Sequence, residues 1–370
     1  MRKSFRLIGF VWLGFLTLAG QGAESFAPLK TRNVILVTLD GMRWQEVFGG
    51  AESALISKEH GSVSNTNALR KAYWRETPEA RRAELLPFFW NAIAKQGQIW
   101  GNTNKGSVVK VSNGLNFSYP GYNEMLSGIA DPHIDSNAKR PNPNVTVLEW
   151  LHQKPAFRGR VAAFGAWDVF PYILNRERSG LHVRAGWEPL VLGKTNPQQA
   201  LLNQLVEDTT PLWDEEIFDS LMFHGALDYL QTHKPRLLYV AFGETDEWAH
   251  AGRYDLYLES ARRSDRCIQR LWETAQSMPE YRGKTTLLIA TDHGRGSGLR
   301  DWRDHGKKTE GSEFIWLAAL GPDTPALGER SQTSPLTQSQ IAATVAALLG
   351  EDFRVAFPQA AKPVDALLGR

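Results

Sequence analysis

Three short apolar runs, each ending in an aspartate, constrain the fold of this chain more than any other feature. They occupy residues 33–40, 237–246 and 285–292. Short runs of apolar, β-branched residues are typical of strands buried on both faces, as in a parallel sheet covered by helices. The sequence therefore predicts an α/β fold with a mostly parallel central sheet and helices on both of its faces.

Aspartates at the ends of these runs, together with nearby histidines, form a candidate metal site. Ligands bind at the carboxyl ends of strands in such sheets, so we expect these side chains to meet at one edge. Mixed carboxylate and imidazole ligands suit Zn²⁺ or another divalent transition ion better than Ca²⁺. There are more candidate ligands than one tetrahedral ion can bind. The sequence therefore predicts two divalent ions of the kind that promote phosphoryl transfer. The candidate ligands are Asp40, Asp246, His250, Asp292, His293 and His305.

A serine between a predicted strand and a predicted helix is the candidate nucleophile. Ser118 lies in the segment 116–123, where the N-terminus of a helix would help to hold an anion with its backbone N–H groups. A divalent ion beside the hydroxyl would ease the loss of its proton and activate it. The structural alternative is that Ser118 only caps the helix.

Composition restricts the class of protein further. The chain has 370 residues with a formal net charge of +2 and no long basic run, so it carries no nucleic-acid footprint. Its only cysteine is Cys267, which excludes a disulfide within the chain and a cysteine-based metal site. A buried, unreactive thiol is the expected state of that residue.

The N-terminus has the pattern of a secretory signal peptide. Basic residues at Arg2, Lys3 and Arg6 precede an apolar stretch over 7–19, and small residues follow. A membrane-spanning helix needs roughly 20 apolar residues, which this stretch does not reach. We expect cleavage after residue 23 and a periplasmic or secreted protein with no later membrane span. An uncleaved anchor is the alternative.

The rest of the sequence predicts alternating helices and strands. Residues 49–82 are polar and predict irregular or helical surface. No repeat or long linker divides the chain, so residues 24–370 are predicted to form one catalytic domain. Helices are predicted over 85–96, 213–232 and 254–276, and strands over 161–164 and 314–320.

Five motifs, in this order along the chain, resemble the alkaline phosphatase superfamily and within it the nucleotide pyrophosphatase/phosphodiesterase-like branch. The resemblance covers most of the chain after the signal peptide and implies an alkaline-phosphatase-like fold. The motifs are Asp40-Gly41, Ser118-Tyr119-Pro120, Asp246 to His250, Asp292-His293-Gly294 and His305.

The resemblance also implies roles for individual residues. One ion would be held by Asp246, His250 and His305. The other would be held by Asp40, Asp292 and His293, with Ser118 bridging to it as the nucleophile. Members of this family hold a phosphoryl oxygen with an asparagine, for which Asn137 is the best-placed candidate, with Asn142 and Asn144 as alternatives.

The residues that follow the serine differ from the usual motif of the family, and this difference helps to compare the alternative functions. The diesterase branch usually has Asn-His after the proline, whereas this chain has Gly121-Tyr122. A sulfatase is the nearest alternative among enzymes. Its nucleophile motif resembles Cys/Ser-x-Pro-x-Arg, and this chain has Tyr122 at the position of the arginine. A non-catalytic metal-binding envelope protein is a third possibility, but it would need no nucleophile.

The substrate is predicted to be a small phosphate ester, with diesters favoured over monoesters. Monoesterases of this superfamily add cationic side chains, and diesterases add an apolar wall. Aromatic candidates near the site outnumber cationic ones, so a diesterase is expected and a monoesterase is the alternative. Candidate cations are Arg43, Lys110, Arg295, Arg300 and Arg303, and candidate walls are Trp44, Tyr119, Tyr122, Trp167, Trp248 and Trp302.

Overall fold

The apolar runs form strands at the centre of a large sheet. A computed structural model describes residues 29–369, and the signal peptide predicted for residues 1–23 lies outside the described residues. The strands are β1 Asn33–Leu39, β2 Gln98–Trp100, β3 Val109–Lys110, β4 Val161–Gly165, β5 His182–Ala185, β6 Leu237–Phe242, β7 Thr285–Ala290, β8 Phe314–Ile315, β9 Leu317–Leu320, β10 Gly328–Glu329 and β11 Leu336–Thr337.

Helices fill most of the connections between these strands. A π-helical segment, Phe89–Ile93, precedes α5. The α-helices are α1 Trp44–Gly49, α2 Lys58–Gly61, α3 Thr66–Tyr73, α4 Pro78–Leu85, α5 Ala94–Gln96, α6 Ser118–Ser127, α7 Val147–Gln153, α8 Phe170–Ile173, α9 Arg176–Ser179, α10 Pro197–Asp208, α11 Asp219–His233, α12 Glu244–His250, α13 Tyr254–Ser277, α14 Gln340–Leu348 and α15 Phe353–Ala356.

The main sheet has the strand order β10-β2-β9-β7-β1-β6-β4-β5, and a small sheet has the order β11-β3-β8. Strands β7, β1, β6, β4 and β5 are mutually parallel, whereas β9 runs antiparallel to β7 and β2. In register, Leu36 of β1 lies opposite Tyr239 of β6 and Leu288 of β7. The predicted α/β fold with a mostly parallel sheet is therefore confirmed, and the carboxyl ends of β1, β6 and β7 meet at one edge.

Alternate residues of β1 pack into two hydrophobic cores, one on each face of the sheet. Ile35 and Val37 contribute to the core that α11 and α13 cover. Val34 and Leu36 contribute to the core that α6, α7 and α14 cover. Burial on both faces explains why this strand is apolar at consecutive positions rather than at alternate ones.

Two predicted helices have different bounds in the structure. The helix predicted over 85–96 starts after a break at Leu86, where Pro87 disfavours a helical conformation of the preceding residue. The Asp265 carboxylate accepts hydrogen bonds from the backbone N–H groups of Phe88 and Phe89 at its start, both at 2.9 Å. The helix predicted over 213–232 begins only at Asp219. Strand β5 was not predicted at all.

The strand predicted over 314–320 is two strands in two different sheets. β8 pairs with β3 of the small sheet, whereas β9 pairs with β7 and β2. Trp316 lies between them and donates its indole N–H to the carbonyl oxygen of Met42 at 2.9 Å. Over residues 29–369, no helix is both long enough and apolar enough to cross a bilayer.

Candidate active site

Asp40, Asp292 and His293 lie together at the carboxyl ends of β1 and β7, and we call them the buried group. Their ligand atoms are all within 4.8 Å of one another, and all three side chains are buried. The Nε2 atom of His293 is 3.3 Å from Asp40 Oδ1 and 3.5 Å from Asp292 Oδ2. The parallel pairing of β1 with β7 brings these residues together although they are far apart in sequence.

Asp246, His250 and His305 form a second cluster beside the first, the outer group. Helix α12 places Asp246 and His250 one turn apart on the same side, with Oδ2 and Nε2 3.1 Å apart. The Nε2 atoms of His250 and His305 are 3.0 Å apart, and the three ligand atoms fit within 4.8 Å. Because Asp246 Oδ1 is 3.7 Å from Nε2 of His293, the two groups adjoin.

The buried group has carboxylate oxygens that a cation would satisfy. Asp40 Oδ1 and Asp292 Oδ2 are buried and accept no hydrogen bond from residues 29–369. Burial, and then the charge of Asp40, raise the pKa of Asp292 to about 8. Burial alone would lower the pKa of His293, but the carboxylates of Asp292 and Asp40 outweigh it and raise that pKa to about 9. Crowded buried carboxylates with free oxygens are stabilised by a cation, so this donor set fits a divalent metal.

The imidazoles of the outer group are suited to a metal in a different way. Burial, and then the charge of His293, lower the pKa of both His250 and His305, which keeps both rings neutral. The Nδ1 atom of His305 is 3.2 Å from the carbonyl oxygen of Asn116, which favours a proton on Nδ1. The Nε2 atom of His305 is then free to act as a ligand.

Ser118 is the first residue of α6, and its hydroxyl faces the buried group. Its Oγ atom is 3.4 Å from Nε2 of His293. The capping alternative is wrong, because Phe117 occupies the N-cap position and Ser118 is already inside the helix. A Cβ atom on Gly121 would lie 2.4 Å from the carbonyl oxygen of Asp292, so glycine at this position lets α6 pack directly on the ligand turn.

Of the three candidate asparagines, Asn137 lies closest to the nucleophile turn. Its Oδ1 atom accepts a hydrogen bond from the backbone N–H of Tyr119 at 3.0 Å. Asn142 and Asn144 both donate to Oδ1 of Asn123, at 3.2 and 3.0 Å, and so tie their loop to α6. The amides of these two alternatives are therefore already engaged within the protein.

Several buried polar residues whose role in the site the sequence did not indicate orient the ligands. The Tyr122 hydroxyl donates to Asp40 Oδ2 at 2.8 Å, and the Thr245 hydroxyl donates to the carbonyl oxygen of Asp40. Gln338 donates from Nε2 to the carbonyl oxygen of Asp292 at 2.7 Å. Gln338 lies far along the chain in an unremarkable polar segment, and no sequence signal could have identified it.

Most of the predicted cationic candidates are already engaged within the protein. Arg43 is buried and forms an ion pair with Glu46, and Arg295 is buried and forms an ion pair with Asp246. Arg303 donates to the carbonyl oxygen of His60 at 2.8 Å. Lys110 is 3.9 Å from Glu313, whereas Arg300 is exposed. Arg43, named as a candidate cation for the substrate, is therefore not available to bind it.

Half of the predicted aromatic walls are wrong, because their rings are buried in the core. Tyr119, Tyr122 and Trp302 are all 2% exposed or less. Trp302 also donates its indole N–H to the carbonyl oxygen of His60 at 3.1 Å. The remaining candidates, which are half-buried and so keep an exposed ring surface, are Trp44, Trp167 and Trp248.

Curated relatives match only part of this chain. Probable 2,3-bisphosphoglycerate-independent phosphoglycerate mutases of Leptospira interrogans are 22% identical over 231 residues, which is 58% of this chain and 40% of the relative. A 2,3-bisphosphoglycerate-independent phosphoglycerate mutase of Gracilaria tenuistipitata var. liui is 23% identical over 88 residues, 24% of this chain and 16% of that protein. The chain therefore spans less than half the length of these relatives.

Solved structures with the same fold cover nearly the whole chain. The alkaline phosphatase PafA superimposes with a TM-score of 0.58 at 11% identity, covering 93% of this chain and 100% of that chain. Ps i-CgsB gives a TM-score of 0.54 at 16% identity, over 90% and 75% of the two chains. A 2-O GAG sulfatase gives 0.52 at 12% identity, over 92% and 74%. At these identities the likeness establishes the fold alone, and the predicted alkaline-phosphatase-like architecture is confirmed.

A sequence profile described as type I phosphodiesterase / nucleotide pyrophosphatase matches residues 53–307. The matched range is more than half of the chain and includes Ser118, the outer group, and Asp292 and His293 of the buried group. The resemblance inferred from the five motifs is therefore confirmed, and the chain belongs to the type I phosphodiesterase / nucleotide pyrophosphatase family.

Proposed function

We propose that this protein is a metal-dependent phosphohydrolase that cleaves phosphate esters through a covalent intermediate on Ser118, with diesters preferred over monoesters. The observation that carries the proposal is the position of the Ser118 hydroxyl, at the N-terminus of α6 and 3.4 Å from His293 of the buried group. A nucleophile and two adjoining ligand groups at one edge of the sheet are the components that such a reaction needs.

The residues of the site have distinct roles in this proposal. The buried group and the outer group would each hold one divalent ion, which we propose to be zinc, and these ions would supply positive charge to the reaction. Ser118 loses its proton to solvent, and its Oγ forms a bond to phosphorus as the bond to the leaving ester oxygen breaks. That oxygen takes a proton from water, and a second water later cleaves the phosphoserine and restores the Ser118 hydroxyl. Asn137 is fixed through its Oδ1 atom, which leaves its amide N–H groups to donate to a phosphoryl oxygen.

The preference for diesters rests on the side chains around the ligand groups. A monoester carries more negative charge than a diester, and monoesterases need cations to hold it. Arg43 and Arg295 are both buried and paired with carboxylates. Trp44, Trp167 and Trp248 are only half-buried, and we propose that an apolar ester substituent packs against them. A sulfatase is less well supported, because Tyr122, at the position of the sulfatase arginine, points its hydroxyl at Asp40.

A substrate panel tests the reaction type. For the purified protein with added Zn²⁺, we expect kcat/KM for an aryl methyl phosphodiester to exceed that for the aryl monoester by up to about tenfold, roughly 1.4 kcal/mol in barrier. The matching aryl sulfate should be the poorest of the three. A hundredfold advantage of the monoester, about 2.7 kcal/mol, would overturn the diesterase assignment and leave the metal and Ser118 assignments standing.

We also propose that residues 24–370 form one exported catalytic domain. The basic and apolar pattern of residues 1–23 supports export through a signal peptide. In a bacterial host, N-terminal sequencing of the active protein from the periplasm or medium should give a chain that starts near Glu24. Active protein found only in the cytosol and still carrying Met1 would contradict export.

A further inference from the structure

Arg295 is a buried arginine inside the candidate metal site that the proposed chemistry does not use. It follows the turn 292–294, and its side chain is inaccessible to solvent. Its Nε donates to the carbonyl oxygen of Gly41 at 3.1 Å, its Nη1 to that of Arg303, and its Nη2 to that of Asp246 at 3.2 Å. Nη2 also forms an ion pair with Asp246 Oδ1. Arg295 thus joins three segments that build the site.

The ion pair between Arg295 and Asp246 is packed against a glycine that leaves no spare space. A Cβ atom on Gly41 would lie 2.6 Å from Asp246 Oδ1 and 2.9 Å from both Nε and Nη2 of Arg295. Gly41 also has a φ of +54°, a conformation that favours glycine. The guanidinium is therefore closely packed against Gly41 and held beside the outer group by its hydrogen bonds and its ion pair.

The two ligand groups consequently differ in formal charge. The buried group contains two carboxylates, Asp40 and Asp292, with no arginine paired to either in the described part of the chain. The outer group contains one carboxylate, Asp246, and Arg295 neutralises it. Arg295 also contacts Oδ1 of Asp246, which leaves Oδ2, the oxygen that faces His250, as the available ligand atom.

Carboxylates outside the two groups do not remove this difference. Glu247 and Asp304 both exert a charge effect on His250. Asp304 is exposed and Glu247 is only partly buried, so solvent screens both charges. Asp292 and Arg295 are fully buried. Once a cation displaces the proton of Asp292, the charges of these two residues are therefore screened far less.

We propose that Arg295 makes the two metal positions unequal, so that a divalent cation binds the buried group first and the outer group more weakly. Cation affinity rises with the negative charge of the ligand set, and a fixed guanidinium nearby repels a second positive charge. Arg295 acts through Asp246 and is a positioning residue. This inference rests on the proposed two-metal function and adds the order in which the positions fill.

Calorimetric titration of chelator-stripped protein with Zn²⁺ tests the proposal without measuring activity. We expect two binding steps in the unmodified protein, the second at least about tenfold weaker than the first. Arg295→Met, which removes the charge from a buried position, should tighten the second step by at least about tenfold. The first step should tighten much less, because Arg295 contacts Asp246 directly and acts on Asp40 only at longer range. Two equal steps in the unmodified protein would overturn the proposal.

Further variants identify which group gives which step. His250→Ala should remove the weaker step and Asp292→Asn the tighter one, and the reverse assignment would also overturn the proposal. These two titrations decide the order even if Arg295→Met does not fold. Arg295→Lys keeps the charge and should retain the weak step, and Arg303→Met is a matched control that should change neither. An absence of any Zn²⁺ binding would instead contradict the metal assignment in the proposed function.

Discussion

Replacing Ser118 with alanine is expected to lower kcat by about four orders of magnitude or more, the usual cost of removing a catalytic nucleophile. The hydroxyl is the only group that the change deletes, and it faces His293 rather than capping α6. Metal content and the thermal unfolding midpoint should stay close to those of the unmodified protein. Initial rates with an aryl phosphodiester, together with elemental analysis of the same preparation, measure both effects.

Two companion variants separate a nucleophile from a structural serine. Ser118→Thr keeps a hydroxyl and should retain activity. Ser127→Ala removes an equally buried serine at the other end of α6, whose hydroxyl donates to the carbonyl oxygen of Asn123 at 2.6 Å, and should leave kcat nearly unchanged. Near-normal kcat in the Ser118→Ala variant would mean that water, rather than this side chain, attacks phosphorus.

Removal of metal is expected to abolish turnover, and readdition of Zn²⁺ is expected to restore it. Elemental analysis of the mature protein should give close to two equivalents, because two separate sets of three ligands are present. Asp292→Asn should lose metal from the buried group, because it replaces a carboxylate that has an unsatisfied buried oxygen. A preparation that remains fully active after complete chelation would contradict metal dependence.

A buried aspartate outside the site provides the control for that variant. Asp265 accepts backbone hydrogen bonds from Phe88 and Phe89 and belongs to neither ligand group. Asp265→Asn should therefore retain two equivalents of metal, even if its thermal unfolding midpoint falls. Equal loss of metal in both aspartate variants would point to general destabilisation rather than to loss of a ligand.

The central strands and the ligand candidates could be predicted because their signals are local. Strands β1, β6 and β7 are buried on both faces, so each is a continuous apolar run that ends at the edge of the sheet. Asp40 and Asp292 follow two of these runs almost directly, and parallel pairing then brings them together. The ligand pair on α12 could be predicted equally well from the sequence, because Asp246 and His250 are four residues apart.

Other features depend on tertiary contacts that no local pattern contains. Tyr122 was predicted to be a substrate wall, but its hydroxyl bonds to Asp40 because α6 packs on the end of β1. Arg295 was one of the candidate cations for the substrate, yet it pairs with a carboxylate from another segment of the chain. Aromatic and cationic residue types indicate that a side chain can serve in a site, whereas burial and partners decide whether it does.

The distribution of the ligands along the chain has a consequence for when the site first exists. The Gly41 N–H donates to Asp292 Oδ1 across 251 residues of sequence, and His305 lies further on still. Contacts of such separation form late, because a long loop must close before they can stabilise anything. Neither a nascent chain nor one lacking β7 contains a complete ligand set. Metal uptake should therefore follow assembly of the sheet, and bound metal would report that folding is complete.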